Sequence, residues 1–176
     1  MRNKWKWGLG IAVVILVIIQ LIRPARSNPP ITAGETIHAR VSVDPAVDAM
    51  LIRSCNDCHS NLTVWPWYTN VAPASWLIVS DVRRGRAELN FSEWGTYPTK
   101  KQQELLKETC AEVSERKMPA AAYTLLHPSA KFTDADIAAV CAWTQSVAQS
   151  LTRASRSAAI SVSQANEEAP TKHLNN

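Results

Sequence analysis

The chain has 176 residues, room for one domain and little more. It carries 19 Lys and Arg against 15 Asp and Glu, a net charge of +4. The excess is local: residues 1–27 hold five basic groups and no acid, while residues 28–151 hold 11 basic and 13 acidic. A domain with no basic face of its own is disfavoured as a DNA or RNA binder. The absence of a G-x-G-x-x-G or Walker run removes the common phosphate-cradling loops by motif.

Residues 7–22 are sixteen uncharged positions rich in Ile, Val and Leu. Arg2, Lys4 and Lys6 precede them and Arg23-Pro24 stops them. A positive segment before an apolar run directs a chain to a membrane with its N-terminus inside. The expectation is a signal anchor or transmembrane helix within residues 1–27, single-pass, with the rest of the chain in a bacterial periplasm. The run is at the short end for a span, which needs about 20 residues. Ala25-Arg26-Ser27 also resembles a cleavage site, so the alternative is a soluble periplasmic protein after cleavage.

Residues 28–43 contain prolines and no clear period, and read as a spacer. Asp44-Pro45 pairs an N-cap residue with a Pro at the first helical position, so a helix should start there and run into Cys55. The aromatic, Pro-broken stretch at 61–68 reads as an ordered loop. A second helix is expected from 73 or 74 to about 89, weakened by Gly85. Residues 90–98 read as loop or a short turn.

Thr99 with Gln102 matches a capping box and opens a helix to about 115. A loop over 117–131 follows. Thr133 to Asp136 is a second cap-like start for a helix to about 151, and residues 152–176 read as a disordered tail rich in Ser, Ala and Asn. The expected fold is all-α: about four short helices with long loops in residues 44–151, plus the N-terminal membrane helix. Loops this long in a small domain suggest a bound group that fills the core.

The chemistry sits at Cys55-Asn56-Asp57-Cys58-His59, a C-x-x-C-H run. Two thiols at this spacing can form thioether bonds to the two vinyl groups of one haem. The imidazole that follows directly then reaches the iron. Cys55 and Cys58 are therefore expected to hold one covalent haem c, with His59 as an axial iron ligand. A thioredoxin-like redox pair would want a preceding strand, and none is expected. A zinc site would need Cys110 and Cys141, which lie on separate helices, and would leave His59 surplus.

The stretch from Cys55 to Trp143 resembles a family of small, often membrane-anchored monohaem c-type cytochromes known as the haem-binding domain family. The matching blocks are C-N-D-C-H-S-N-L-T-V-W-P-W-Y at 55–68, A-P-A-S-W-L at 72–77, D-V-R-R-G-R at 81–86 and L-N-F-S-E-W at 89–94. K-M-P at 117–119, Tyr123, His127-Pro128 and Ala142-Trp143 follow. The resemblance implies haem c with His59 as the axial ligand, and the expected fold of residues 44–151 is accordingly a cytochrome c-like bundle around one haem.

Met118, just past a helix end, is the expected second axial ligand, and His127 is its rival. Trp65, Trp67, Tyr68 and Trp76 are expected to line the haem. Arg83, Arg84 and Arg86 read as a solvated helix face, with pairing to haem propionates as the alternative. Cys110 and Cys141 fall on apolar faces of two helices; an oxidising compartment would join them if those faces meet, and otherwise they are buried free thiols. His38 and His173 read as bystanders. The functional expectation is a one-electron carrier rather than an enzyme, acting with redox partner proteins and held to the membrane by its N-terminal helix. A haem-based sensor with a labile sixth ligand, or a small peroxidase, is the alternative.

Overall fold

Three of the sequence signals for helix starts can be followed atom by atom in the computed structural model, which describes residues 4–167. Asp44 accepts from the Ala46 N–H through Oδ1 at 2.8 Å, and α3 (Pro45–Ser54) begins behind it. At Thr133 the capping box closes in both directions. Asp136 N–H donates to Thr133 Oγ1 at 3.1 Å, and Asp136 Oδ2 accepts from the Thr133 N–H at 2.9 Å. This opens α8 (Asp134–Glu167). The third signal, Thr99 with Gln102, does not form a box: α6 (Thr99–Ser114) starts one residue earlier than that pattern requires, after Pro98. The Gln102 amide instead donates to the Tyr97 carbonyl at 3.1 Å.

The described residues contain no strand, and eight α-helices including α1 at the N-terminus, where about four and an N-terminal helix were expected. The surplus arises because segments expected as loops fold locally. α2 (Ile37–Arg40) lies in the spacer, α4 (Asn56–His59) forms over the C-x-x-C-H run, and α7 (Ala121–Leu126) lies between α6 and α8. Short 3-10 turns occupy Ala33–Glu35, Trp67–Asn70 and Pro128–Ala130, and two joined at a kink at Glu93 span Phe91–Thr96. The helix expected from 73 or 74 is α5 (Ala74–Glu88).

The expected membrane span is corrected. α1 (Lys4–Ile19) has 16 residues, about 24 Å at 1.5 Å per residue, against about 30 Å of bilayer hydrocarbon. No helix among the described residues is long and apolar enough to cross a membrane. The apolar run continues to Ile22, but the backbone leaves the helix after Ile19. Gln20, Leu21 and Ile22 each donate to a carbonyl three residues back. Gln20 then turns its amide to Ala72, donating to the Ala72 carbonyl at 3.1 Å and accepting from the Ala72 N–H at 2.9 Å.

The chain divides into two compact units. The first comprises residues 1–40 and 49–95. Its buried apolar side chains include Ile37, Leu51, Val79, Val82, Phe91 and Trp94. The segment after α1 is strapped to this unit: the Trp76 indole donates to the Ile22 carbonyl at 2.8 Å, Arg26 to Thr69 Oγ1 at 3.3 Å, and Asn28 to the Thr63 carbonyl at 2.9 Å. These bonds, with one from the Asn61 amide to the Pro30 carbonyl at 3.3 Å, tie residues 20–30 into the unit.

Among the described residues, the second unit comprises 41–48 and 96–167. Here α6 packs along α8 through Leu105, Leu106, Val113, Val140 and Val147, all buried. The Trp143 indole donates to the Ser42 carbonyl at 3.1 Å. α6 ends in a Schellman turn. Arg116 sits at φ 56°, its N–H bonds the Val113 carbonyl at 3.1 Å, and the Lys117 N–H bonds the Glu112 carbonyl at 3.0 Å. Arg116 also pairs with Asp134 at the start of α8. The region expected as a disordered tail from 152 is helical as far as Glu167; residues 168–176 lie outside the described residues.

A disulfide joins Cys110 on α6 to Cys141 on α8, with Cα atoms 4.8 Å apart and a sequence separation of 31. Closing a loop of this length removes unfolded-state freedom worth about 3–4 kcal/mol in the chain-entropy model. Replacing both cysteines by Ser should therefore lower the unfolding free energy by about 3 kcal/mol in a denaturant titration. A loss under about 1 kcal/mol would mean the helix pair holds without the bond.

Candidate functional site

The C-x-x-C-H run begins where α3 stops. The Cys55 N–H still bonds the Leu51 carbonyl at 2.9 Å, and the Cys55 carbonyl then accepts from both Cys58 (3.1 Å) and His59 (2.9 Å). This places Cys55, Cys58 and His59 on one short turn, α4. Both thiols are free. Burial pushes the Cys55 thiol up to about 12, with the nearby Cys58 adding to it. Burial, followed by the carboxylates of Asp57 and Asp81, pushes Cys58 up to about 11. A disulfide-exchanging pair needs a thiol lowered toward neutrality, so these two are unsuited to that chemistry.

His59 carries the decisive geometry. Its Nδ1–H donates to the Leu89 carbonyl at 3.1 Å. That bond places the proton on Nδ1 and leaves Nε2 with a lone pair for a metal. Burial holds the imidazole below its ordinary value of 6.5, against the opposing pull of backbone hydrogen bonds to Leu89 and Gly85. Phe91 stands beside the ring at 6.4 Å between centroids, tilted by 54°. A neutral, oriented imidazole next to two protonated thiols on one turn fits haem: the cysteines would hold the porphyrin edge and His59 the iron.

A family model for haem-binding domains matches residues 14–146, about three quarters of the chain. The chain belongs to the haem-binding domain family. It is a haem protein. No curated protein and no solved structure matches it.

What orients the C-x-x-C-H turn is the end of α5 and the residues after it, a role that sequence reasoning missed. Gly85 lies against the Cys58 carbonyl: a Cβ there would come within 2.6 Å of that oxygen. Leu89 supplies the carbonyl for His59. The Asn61 N–H donates to Ser92 Oγ at 2.9 Å, and the Asn90 amide donates to Asn61 Oδ1 at 2.9 Å. Asn61, Asn90 and Ser92 are all buried. The signal for them was the L-N-F-S-E-W block itself, which marks the family without saying what its residues touch.

The aromatic residues divide. Trp67 is exposed, Tyr68 meets its ring edge-on, and Trp65 and Trp76 spend their indole N–H groups on Asn28 and Ile22 in the strap. The arginines divide too. Arg84 is exposed and pairs with Asp81 at 2.8 Å. Arg86 departs from a solvated face: it donates to Ser60, Ser27, Asn28 and Thr63. His38 is exposed on α2, and His173 lies outside the described residues.

Met118 follows the Schellman turn and is 40% exposed. His127 closes α7, donates from Nδ1 to the Tyr123 carbonyl at 3.1 Å and stacks on the Tyr123 ring at 4.2 Å.

Gly85→Ala tests the cradle. In an open helix this change gains about 1 kcal/mol. Here the added methyl meets a backbone oxygen that is fixed in its own turn, and overpacking of this kind costs about 1–3 kcal/mol. The expected result is net destabilisation of about 1–2 kcal/mol with reduced haem per protein. Stabilisation with full haem content would show that α5 can shift freely.

Proposed function

We propose that this haem protein is a monohaem c-type cytochrome acting as a one-electron carrier outside the cytoplasm. The observation that carries the reading is the His59 Nδ1–H to Leu89 carbonyl bond on the same turn as two free, protonated thiols. Cys55 and Cys58 would hold the haem edge through thioether bonds. His59 would hold the iron through Nε2. Bound haem supplies a centre that gains and loses one electron.

The chain's own residues serve attachment and positioning. Leu89 fixes the ligand tautomer, and Gly85 admits close approach of the attachment turn to α5. Such a set suits electron transfer more than catalysis. Redox partner proteins are the expected partners and nucleic acid is not. An extracytoplasmic location is supported by the basic residues ahead of an apolar segment and by the Cys110–Cys141 disulfide, which an oxidising compartment maintains. In bacteria this is the periplasm.

Met118 is proposed as the second axial ligand, since a thioether in a turn beyond a helix end can adapt to a metal. The specific observation favouring His127 is its own Nδ1 bond to Tyr123, which leaves Nε2 as an acceptor in the manner of His59.

Covalent attachment predicts that acid acetone leaves the haem on the protein, and that Cys58→Ala loses most stable haem. Clean extraction of haem b from the wild type would refute it. For the sixth position, Met118→Ala should open the iron to CO and lower the reduction potential, as expected on loss of Met ligation. The same outcome from His127→Ala, with Met118→Ala unchanged, would transfer the assignment to His127.

A further inference from the structure

Arg86 makes more polar contacts around the site than its place on a charged helix would suggest. Its Nε donates to the Ser60 carbonyl at 2.8 Å, directly after His59. Nη2 donates to Thr63 Oγ1 at 2.7 Å and to Asn28 Oδ1 at 2.8 Å. Nη1 donates to the Ser27 carbonyl at 2.9 Å. A guanidinium has five N–H donors, so four bonds to the protein leave one for anything else, which makes propionate capture a poor description of its role.

These contacts extend through the residues around the ligand. Thr63 Oγ1 donates to the Asp57 carbonyl at 2.7 Å, and the Val64 N–H donates to Asp57 Oδ1 at 2.8 Å, which ties the loop back to the interior of the C-x-x-C-H run. Asn28 Oδ1 also accepts from the Trp65 indole at 3.2 Å. On α5, Arg86 follows Gly85, whose Cα faces the Cys58 carbonyl, and precedes Leu89, whose carbonyl orients the His59 ring. One helical turn therefore holds the backbone before His59, the ring of His59 and the backbone after it.

We propose that Arg86 is a positioning residue for the iron ligand: by clamping Ser60 and Thr63 to the strap at Ser27 and Asn28, it fixes the orientation of His59 at the iron. The inference rests on the reading of His59 as that ligand. Its planar fork matters beyond its charge, because four acceptors in fixed directions match a guanidinium and not an ammonium. Its charge acts as well, since a cation held near the iron disfavours the more positive Fe(III) state.

The test uses the full-length, haem-loaded chain with Arg86→Lys, Arg86→Gln and, as a control on the exposed side of the same helix, Arg84→Gln. Haem per protein, the ferric EPR g values and the midpoint potential are measured. Arg86→Lys should move the g values while changing the Fe(II)/Fe(III) ratio at fixed ambient potential by less than threefold. Arg86→Gln should move the g values and lower that ratio about tenfold, equivalent to about 59 mV for a one-electron couple. Arg84→Gln should match the wild type.

Wild-type g values and potential in Arg86→Lys and Arg86→Gln would overturn the proposal. If Arg86→Gln fails to accumulate, Arg86→Lys and Thr63→Val, which keep the charge and lose part of the clamp, decide it by the same g-value criterion. His59→Ala separates the two readings. If it loses the low-spin spectrum while the Arg86 variants match the wild type, only the positioning role fails. If it leaves the spectrum unchanged, the ligand assignment fails and the proposal with it.

Discussion

Everything at the C-x-x-C-H turn depends on the contact between the end of α5 with the residues after it and the peptide backbone from Cys58 to Asn61. That contact is read almost residue by residue. Gly85 admits the Cys58 carbonyl, Leu89 takes the His59 ring proton, Arg86 takes the Ser60 carbonyl and Ser92 takes the Asn61 N–H. Four different chemical devices act within eight residues of sequence: an absent side chain, a backbone carbonyl, a guanidinium and a hydroxyl. A short helix such as α4 has too few internal hydrogen bonds to hold its own orientation. The neighbouring helix supplies it.

The electrostatic consequences follow from that packing. Partial removal from water raises both thiols and lowers the imidazole, so all three groups are neutral near pH 7. Neutral groups are what a buried turn can tolerate, because an unpaired charge there would have to be desolvated. Arg86 is the charged member of the network, and its contacts with two carbonyls and two side-chain oxygens offset the loss of water. The same contacts make the strap at residues 20–30 a working part of the first unit. With Gln20 on Ala72 and Trp76 on Ile22, this segment is pinned along its length.

The second unit uses different means. α6 and α8 bury a stripe of Leu and Val and are joined by a disulfide, while Arg116 in its left-handed turn ends α6 where a Gly would be usual. Arg116 also pairs with Asp134 beside the capping box that opens α8. The end of one helix and the start of the next are thereby tied together, leaving the connecting stretch with Met118, α7 and His127 between two fixed points.

The linear sequence made legible the all-helical character, the C-x-x-C-H run at Cys55, Cys58 and His59, and two of the helix starts. Those are local properties: a capping box closes within four residues, and C-x-x-C-H lies within a single turn. It also carried the family through its L-N-F-S-E-W block without revealing what Asn90 and Ser92 touch. Only the tertiary structure decided the rest. α1 stops at Ile19 because Gln20 bonds a peptide 52 residues away, which no apolar run predicts. Gly85 reads as a weak point in a helix until Cys58 is seen against it. Arg86 reads as one of three solvated arginines until four acceptors from two distant segments converge on it. In each case the partner is remote in sequence, and the physical meaning of the residue lies in a distance that the linear order does not contain.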